Sequence, residues 1–198
     1  GVWAETLGGF TVTSSNGRGY SYDNRGGVLT VSSGEVTVSN NRSTADRIKL
    51  TGGKLILNGV TISTGNGAPI EVSGTATINL ANGKTNTLTS TSASYAGIYV
   101  PSTSQVTFTG GGTLTAKSQT TSTASSTGIG GQQASNAYSC GTIIFDLTGT
   151  ITATGGNRAA GIGTCMSSSG RTAIAGTIQV KNGTINATGG NNAGGIGT

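Results

Sequence analysis

The stretch "GGNRAAGIGT" at 155–164 returns as "GGNNAGGIGT" at 189–198. A sequence that repeats at a near-constant period is constrained to stack. Each copy is one supersecondary unit that can bury its apolar face only against the next copy. Aligned on the isoleucine of "GIGT", the chain offers Ile48, Ile70, Ile98, Ile129, Ile162 and Ile196, at intervals of 22, 28, 31, 33 and 34 residues. Two more strand signals lie between these anchors. The first set is "VLTV" (28–31), "KLIL" (54–57), "TINL" (77–80), "VTFT" (106–109), "IIFDL" (143–147) and "TIQV" (177–180). The second is "EVTV" (35–38), "VTIS" (60–63), "NTLTS" (86–90), "TLTAK" (113–117), "TITAT" (150–154) and "TINAT" (184–188).

Three short alternating strands per repeat, punctuated by Gly and Asn, predict an all-β fold, a right-handed single-stranded parallel β-helix of about six to seven coils. The growing intervals then read as loop insertions on a constant frame. At ~4.8 Å per coil, such a rod would be about 30 Å long. Residues 1–26 lie outside the repeat and are expected to cap it, with Trp3 and Phe10 plugging the core. Residues 27–198 form the expected β-helix, read as part of a longer protein because "GIGT" stands where a capping repeat is expected.

Composition removes several alternatives. Disorder goes with high charge and few β-branched residues, but charged residues are 9% here and Val, Ile and Thr recur at strand spacing. The net charge of +5 is thinly spread, with one local cluster at Arg42, Arg47, Lys49 and Lys54. A nucleic-acid surface would show a denser basic stripe interleaved with aromatics, so no nucleic-acid partner is expected. No apolar run approaches the ~20 residues of a membrane span, so membrane insertion is not expected either.

Alternation sorts the side chains. Leu57, Leu80, Phe108, Phe145 and Val180 are expected to point inward from the first strand set, and Ile62, Leu88, Leu114, Ile151 and Ile185 from the second. The isoleucines form the third inward column. Outward from the second set stand threonines at T-x-T spacing, from Thr61 to Thr188. Outward beside the isoleucines stand Lys49, Glu71, Tyr99, Gly130, Gly163 and Gly197, with Lys49 and Glu71 read as a cross-strand ion pair. The glycines would leave a strip without side chains, open to close approach either by a ligand or by the chain's own loops. Two insertions follow the strip, 131–141 and 164–176, and each carries one cysteine. Loops leaving the same corner of adjacent coils are neighbours, so a Cys140–Cys165 disulfide is expected, with two buried free thiols as the alternative. The disulfide would suit an exported protein.

The phrases "LILNGVTIS" (55–63), "GAPIEV" (67–72), "ATINLANGKTNTLT" (76–89), "AGIYV" (96–100) and "GGGTLTA" (110–116) resemble the β-helical carbohydrate-binding-domain proteins of clostridia and gut bacteria. The later "GTITATGG" and "AAGIGT" units are similar to repeats of adhesin-like cell-surface proteins of the same bacteria. The resemblance covers most of residues 50–198. It implies a secreted, surface-located domain that binds a polysaccharide or a glycoprotein glycan. Calcium-binding members carry Asp-Gly-Ile at the third strand. Here only Asp46 stands two residues before an anchor isoleucine, so no metal and no cofactor are expected.

Catalysis is not expected. Glycoside hydrolysis requires two carboxyl groups a few Å apart, and the six acids, Glu5, Asp23, Glu35, Asp46, Glu71 and Asp146, form no neighbouring pair in this register. Sugar binding requires a polar face and an aromatic ring that covers a pyranose. The candidate contacts are Tyr99, Gly130, Gly163 and the loops bearing Tyr138 and Arg171. A ligand-free spacer in a surface rod, with end-to-end contacts through the last coil, is the main alternative. An ice-binding threonine face and a polysaccharide-degrading enzyme are the others.

Overall fold

A computed structural model describes residues 2–121, 125–167 and 171–197. About half of the chain is strand, and among the described residues no α-helix forms. Before the repeats come β1 (Trp3–Leu7), β2 (Phe10–Ser14) and β3 (Tyr20–Asp23). The repeats then supply β4 (Val28–Val31), β5 (Glu35–Ser39), β6 (Arg47–Leu50), β7 (Lys54–Leu57), β8 (Thr61–Thr64), β9 (Ile70–Val72), β10 (Thr75–Leu80), β11 (Thr85–Ser90) and β12 (Ile98–Tyr99). They continue with β13 (Gln105–Gly110), β14 (Thr113–Lys117), β15 (Ile129–Gly130), β16 (Thr142–Thr154), β17 (Ile162–Gly163), β18 (Ile178–Thr188) and β19 (Ile196–Gly197).

From β4 onward these strands pair in three parallel ladders. An eight-stranded sheet runs β19-β17-β15-β12-β9-β6-β4-β3 and holds the anchors: Ile48, Ile70, Ile98, Ile129, Ile162 and Ile196 are register partners in succession. The second ladder is β5-β7-β10-β13-β16 and the third is β8-β11-β14-β16. They join because β16 and β18 each run through both. Strands repeat in one order because each apolar side chain meets its counterpart from the next repeat. Phe108 and Phe145, for example, stack with ring centroids 5.2 Å apart. The core is almost wholly aliphatic, and each fully buried side chain contributes about 1.5–3 kcal/mol.

The inward columns differ from the expected ones in two places. Phe108 lies opposite Ile78 rather than Leu80, and Leu88 lies opposite Ala116 rather than Leu114. The position opposite Leu114 is Asn86, a buried amide inside the aliphatic column. It is tolerated because it is satisfied. Its Oδ1 accepts from the backbone of Gly59 at 3.0 Å and Val60 at 2.9 Å, and its Nδ2 donates to the Thr113 carbonyl at 3.1 Å.

The first repeat is displaced by one strand. "VLTV" pairs with β6, so Leu29 precedes Ile48 in the anchor column, and "EVTV" pairs with β7. That leaves the third ladder one strand short. Residues 40–44 fill its place with a single bridge, Thr44 to Ile62, and with Asn40, whose side chain donates to and accepts from Thr61, both at 2.9 Å.

Strands β1 to β3 are antiparallel. β1 pairs with β2 and β2 with β5, while β3 pairs with β4. Phe10 and Val12 close the core there, as expected of Phe10, but Trp3 does not plug it: its side chain is 57% exposed and lies over Gly17. Asp46 holds this segment down, accepting from the Gly9 N–H and the Tyr22 hydroxyl, each at 2.8 Å. Tyr20 donates to Glu5 Oε1 at 2.5 Å. At the other end, Val180 and Ile196 are each about half exposed.

Candidate functional site

The outward column of the eight-stranded sheet carries the site. In register it reads Thr30, Lys49, Glu71, Tyr99, Gly130, Gly163 and Gly197. Side chains therefore line its first four positions and glycines its last three. The glycines are not an open strip, since Gly130 and Gly163 are buried. Both adopt positive φ, +137° and +135°, and a Cβ on either would come within 2.0 Å of the carbonyl oxygen of the next glycine in the column. What approaches closely is the backbone of the following repeat.

Along the first four positions run two adjoining clefts that share Arg47 and Glu71. One, of about 300 Å³, is also lined by Asp23, Thr30 and Lys49. The other, of about 440 Å³, is lined by Asn66, Tyr95, Tyr99, Gln132 and Ser135 among others. From Thr30 to Tyr99 the groove crosses three strand spacings, about 14 Å. Its far wall is the insertion after β15. The turn Ala134–Asn136 is hooked to the loop before β12 by the Ala134 N–H on the Ser94 carbonyl at 2.8 Å. Gln132 Oε1 accepts from the Ala96 N–H at 3.4 Å. Tyr95 is fixed through its carbonyl, which accepts from Ser118 Oγ at 2.8 Å.

The groove carries both signs of charge. Arg47 lies across Gly67, where a Cβ would collide with its guanidinium. Lys49 and Glu71 are register partners as expected, but the ion pair that closes is on the neighbouring sheet, Lys54 Nζ to Glu35 Oε2 at 3.0 Å. Burial, and then the negative charge of Glu71, raise the Tyr99 hydroxyl above its ordinary pKa, so it stays a neutral donor. Asp23 and Glu71 sit on strands three spacings apart, about 14 Å between backbones, and both line the smaller cleft. Chemically the groove offers amide, carboxylate, guanidinium and phenol groups around two partly buried rings.

The other expected contacts fall elsewhere. Tyr138 is 3% exposed and donates its hydroxyl to Asn136 Oδ1 at 2.7 Å, so it is a buried strut of the insertion rather than a contact. Arg171 lines a separate cleft with Arg158 and Cys165. The expected Cys140–Cys165 disulfide is not formed: both are buried free thiols. Burial raises both thiols, Cys165 to about 12, so the protonated thiol is the ordinary form. Sequence reasoning missed Tyr95, Asn66 and Gln132. Tyr95 stands four residues before Tyr99 in "SYAGIY", within a repeat already lengthened to 28 residues. That lengthening is the signal that could have found it.

No family model, curated protein or solved structure matches the chain. Among the described residues, no helix is long and apolar enough to cross a membrane, and no three Cys, Asp or Glu side chains cluster as metal ligands.

Proposed function

We propose that the chain winds as a right-handed parallel β-helix with three strands per coil, and that it is a non-catalytic carbohydrate-binding, adhesin-like domain at a bacterial cell surface. The winding reading is supported by three ladders in which consecutive chain segments recur in one order. The observation that carries the binding reading is the groove itself. Tyr95 and Tyr99 stand beside Asn66, Gln132, Arg47 and Glu71, and a pyranose is recognised by a ring against its apolar face with hydrogen bonds to its hydroxyls. The ligand is a polysaccharide or a glycoprotein glycan, held outside the cell, and no metal or cofactor takes part. The half-exposed Val180 and Ile196 edge is where end-to-end contact forms.

The test is a glycan array with an insoluble-polysaccharide pull-down, at low and high salt. Binding to a defined glycan is expected to survive salt. Tyr99→Ala is expected to weaken it about tenfold, a loss of about 1.4 kcal/mol, with an unchanged thermal melt. Absence of binding to any glycan would leave the groove without a ligand and make the domain a spacer.

A further inference from the structure

The cleft that holds Arg171 is a second site, distinct from the tyrosine groove. It measures about 360 Å³, within the ~300–1,000 Å³ of small-ligand pockets. Its polar lining is Arg158, Arg171, Thr164, Ser167 and Asn192, and its apolar lining is Met166, Ala173, Ala193 and the buried Cys165. No carboxylate is among these residues. Of the six acids in the chain only Asp146 follows residue 71, and it accepts from Asn182 Nδ2 at 2.8 Å on a different sheet. Among the described residues, neither guanidinium has a hydrogen-bond or ion-pair partner. Among the described residues, the two arginines thus share a cleft with no carboxylate in its lining.

The backbone adds an independent observation. Arg158 and Asn192 occupy the same place in the two copies of the repeated phrase, and both adopt left-handed φ, +58° and +61°. Asparagine is at ease there, whereas an arginine costs about 1–2 kcal/mol. The chain keeps an arginine at a strained position that its next copy fills with a comfortable residue, and strain of this kind gathers where a side chain must be aimed. The loop opposite is tied to it. The Met166 N–H donates to the Arg158 carbonyl at 2.9 Å, and the Arg171 N–H donates to Ser167 Oγ at 3.0 Å. Both arginines are therefore set on one frame.

We infer that this cleft binds a small organic carboxylate. The carboxylate lies between the Arg158 and Arg171 guanidiniums, whose planar forks match it bidentately. Met166, Ala173 and Ala193 cover its apolar body. Two chemical sources present such a group, an acylated acidic sugar and an alkyl acid.

The experiment is a calorimetric titration of the protein at low ionic strength with three probes: N-acetylneuraminate, hexanoate and inorganic sulfate. Saturable binding of N-acetylneuraminate alone assigns the acidic sugar, and of hexanoate alone the alkyl acid. In either case Arg158→Gln and Arg171→Gln should each weaken binding about tenfold. Unchanged thermal melts for the two arginine variants show that the fold is kept. No saturable carboxylate binding, or binding indifferent to both arginine variants, overturns the inference. So does sulfate binding as tightly as either organic acid. A glycan lost through Tyr99→Ala with no carboxylate bound here would leave the groove standing and this site refuted.

Discussion

Residues 2–50 and the repeats after them are held by different means. At the start of the chain the strands are antiparallel, and the fastenings are side chains: Asp46 on Gly9 and Tyr22, Glu5 on Tyr20, Asn40 on Thr61. Five of the six acids lie in the first 71 residues. From β9 onward, backbone register does most of the work. Polar contacts there are largely hydroxyls and amides on carbonyls, and glycine lets one repeat sit on the next. β1 and β3 have a partner on one side only and are pinned by particular atoms. An interior strand is positioned by both neighbours at once and can do without them.

That contrast can be broken in three places. The largest effect is expected from Gly163→Ala, which forces a Cβ into the Gly197 carbonyl at a left-handed φ. A loss of about 4 kcal/mol or more is expected in urea unfolding. The matched change Gly34→Ala near the chain start also has positive φ, +65°, but meets nothing within 4 Å, and should cost only about 1 kcal/mol. Equal losses would mean that conformation alone, and not the close seat, selects glycine in the repeats.

A smaller effect is expected from Asp46→Ala. Two part-buried hydrogen bonds to a charged acceptor are lost, each at the low end of the range, about 1.5 kcal/mol, so about 3 kcal/mol in all. Hydrogen exchange should rise in β1 to β3 and stay unchanged in β12 to β17. Exchange rising throughout would show that the two regions unfold as one.

The smallest is an alkaline transition. Burial, and then hydrogen bonds to Glu5 and Asp46, push the Tyr20 and Tyr22 hydroxyls up to about 12 from an ordinary 10.0. The folded state thus favours the neutral phenol. Their contribution is complete below pH 10 and is lost as the pH rises through 12. Trp3, the chain's one tryptophan, lies on β1 and reports this end by its fluorescence. In a Tyr20→Phe/Tyr22→Phe variant that change should disappear, whereas the thiol of Cys165, itself raised from 9.0 to about 12, still titrates at the other end.

The anchor column and the outward column from Lys49 to Gly197 are legible in the sequence because each repeat sets one isoleucine in a short apolar phrase, flanked by glycines in the last three, and this fixes both face and register. The columns that slipped, Phe108 and Leu88, moved by two residues. Alternation has a period of two, so a shift of two leaves every side chain on its own face and the pattern cannot detect it. The displaced first repeat has the same origin. Leu29 in "VLTV" fits either ladder, and only antiparallel pairing with β3 decides between them. The groove is legible only at Tyr99 and its column. Its other wall is made by insertions, whose course is set by single hydrogen bonds such as Ala134 on Ser94 and by no periodicity.

The close seat at Gly130 and Gly163 also bears on how such a chain changes length. An added residue inside a strand would turn its side chains inside out, and any side chain at the seat collides with the next repeat. Additions are confined to the connections, such as 131–141 and 164–176, or to the copying of an entire repeat. The two copies at 155–164 and 189–198 keep their last four residues identical, yet hold Arg158 in one and Asn192 in the other, out where a corner faces solvent. Growth comes in whole steps, and novelty is confined to the corners of each step.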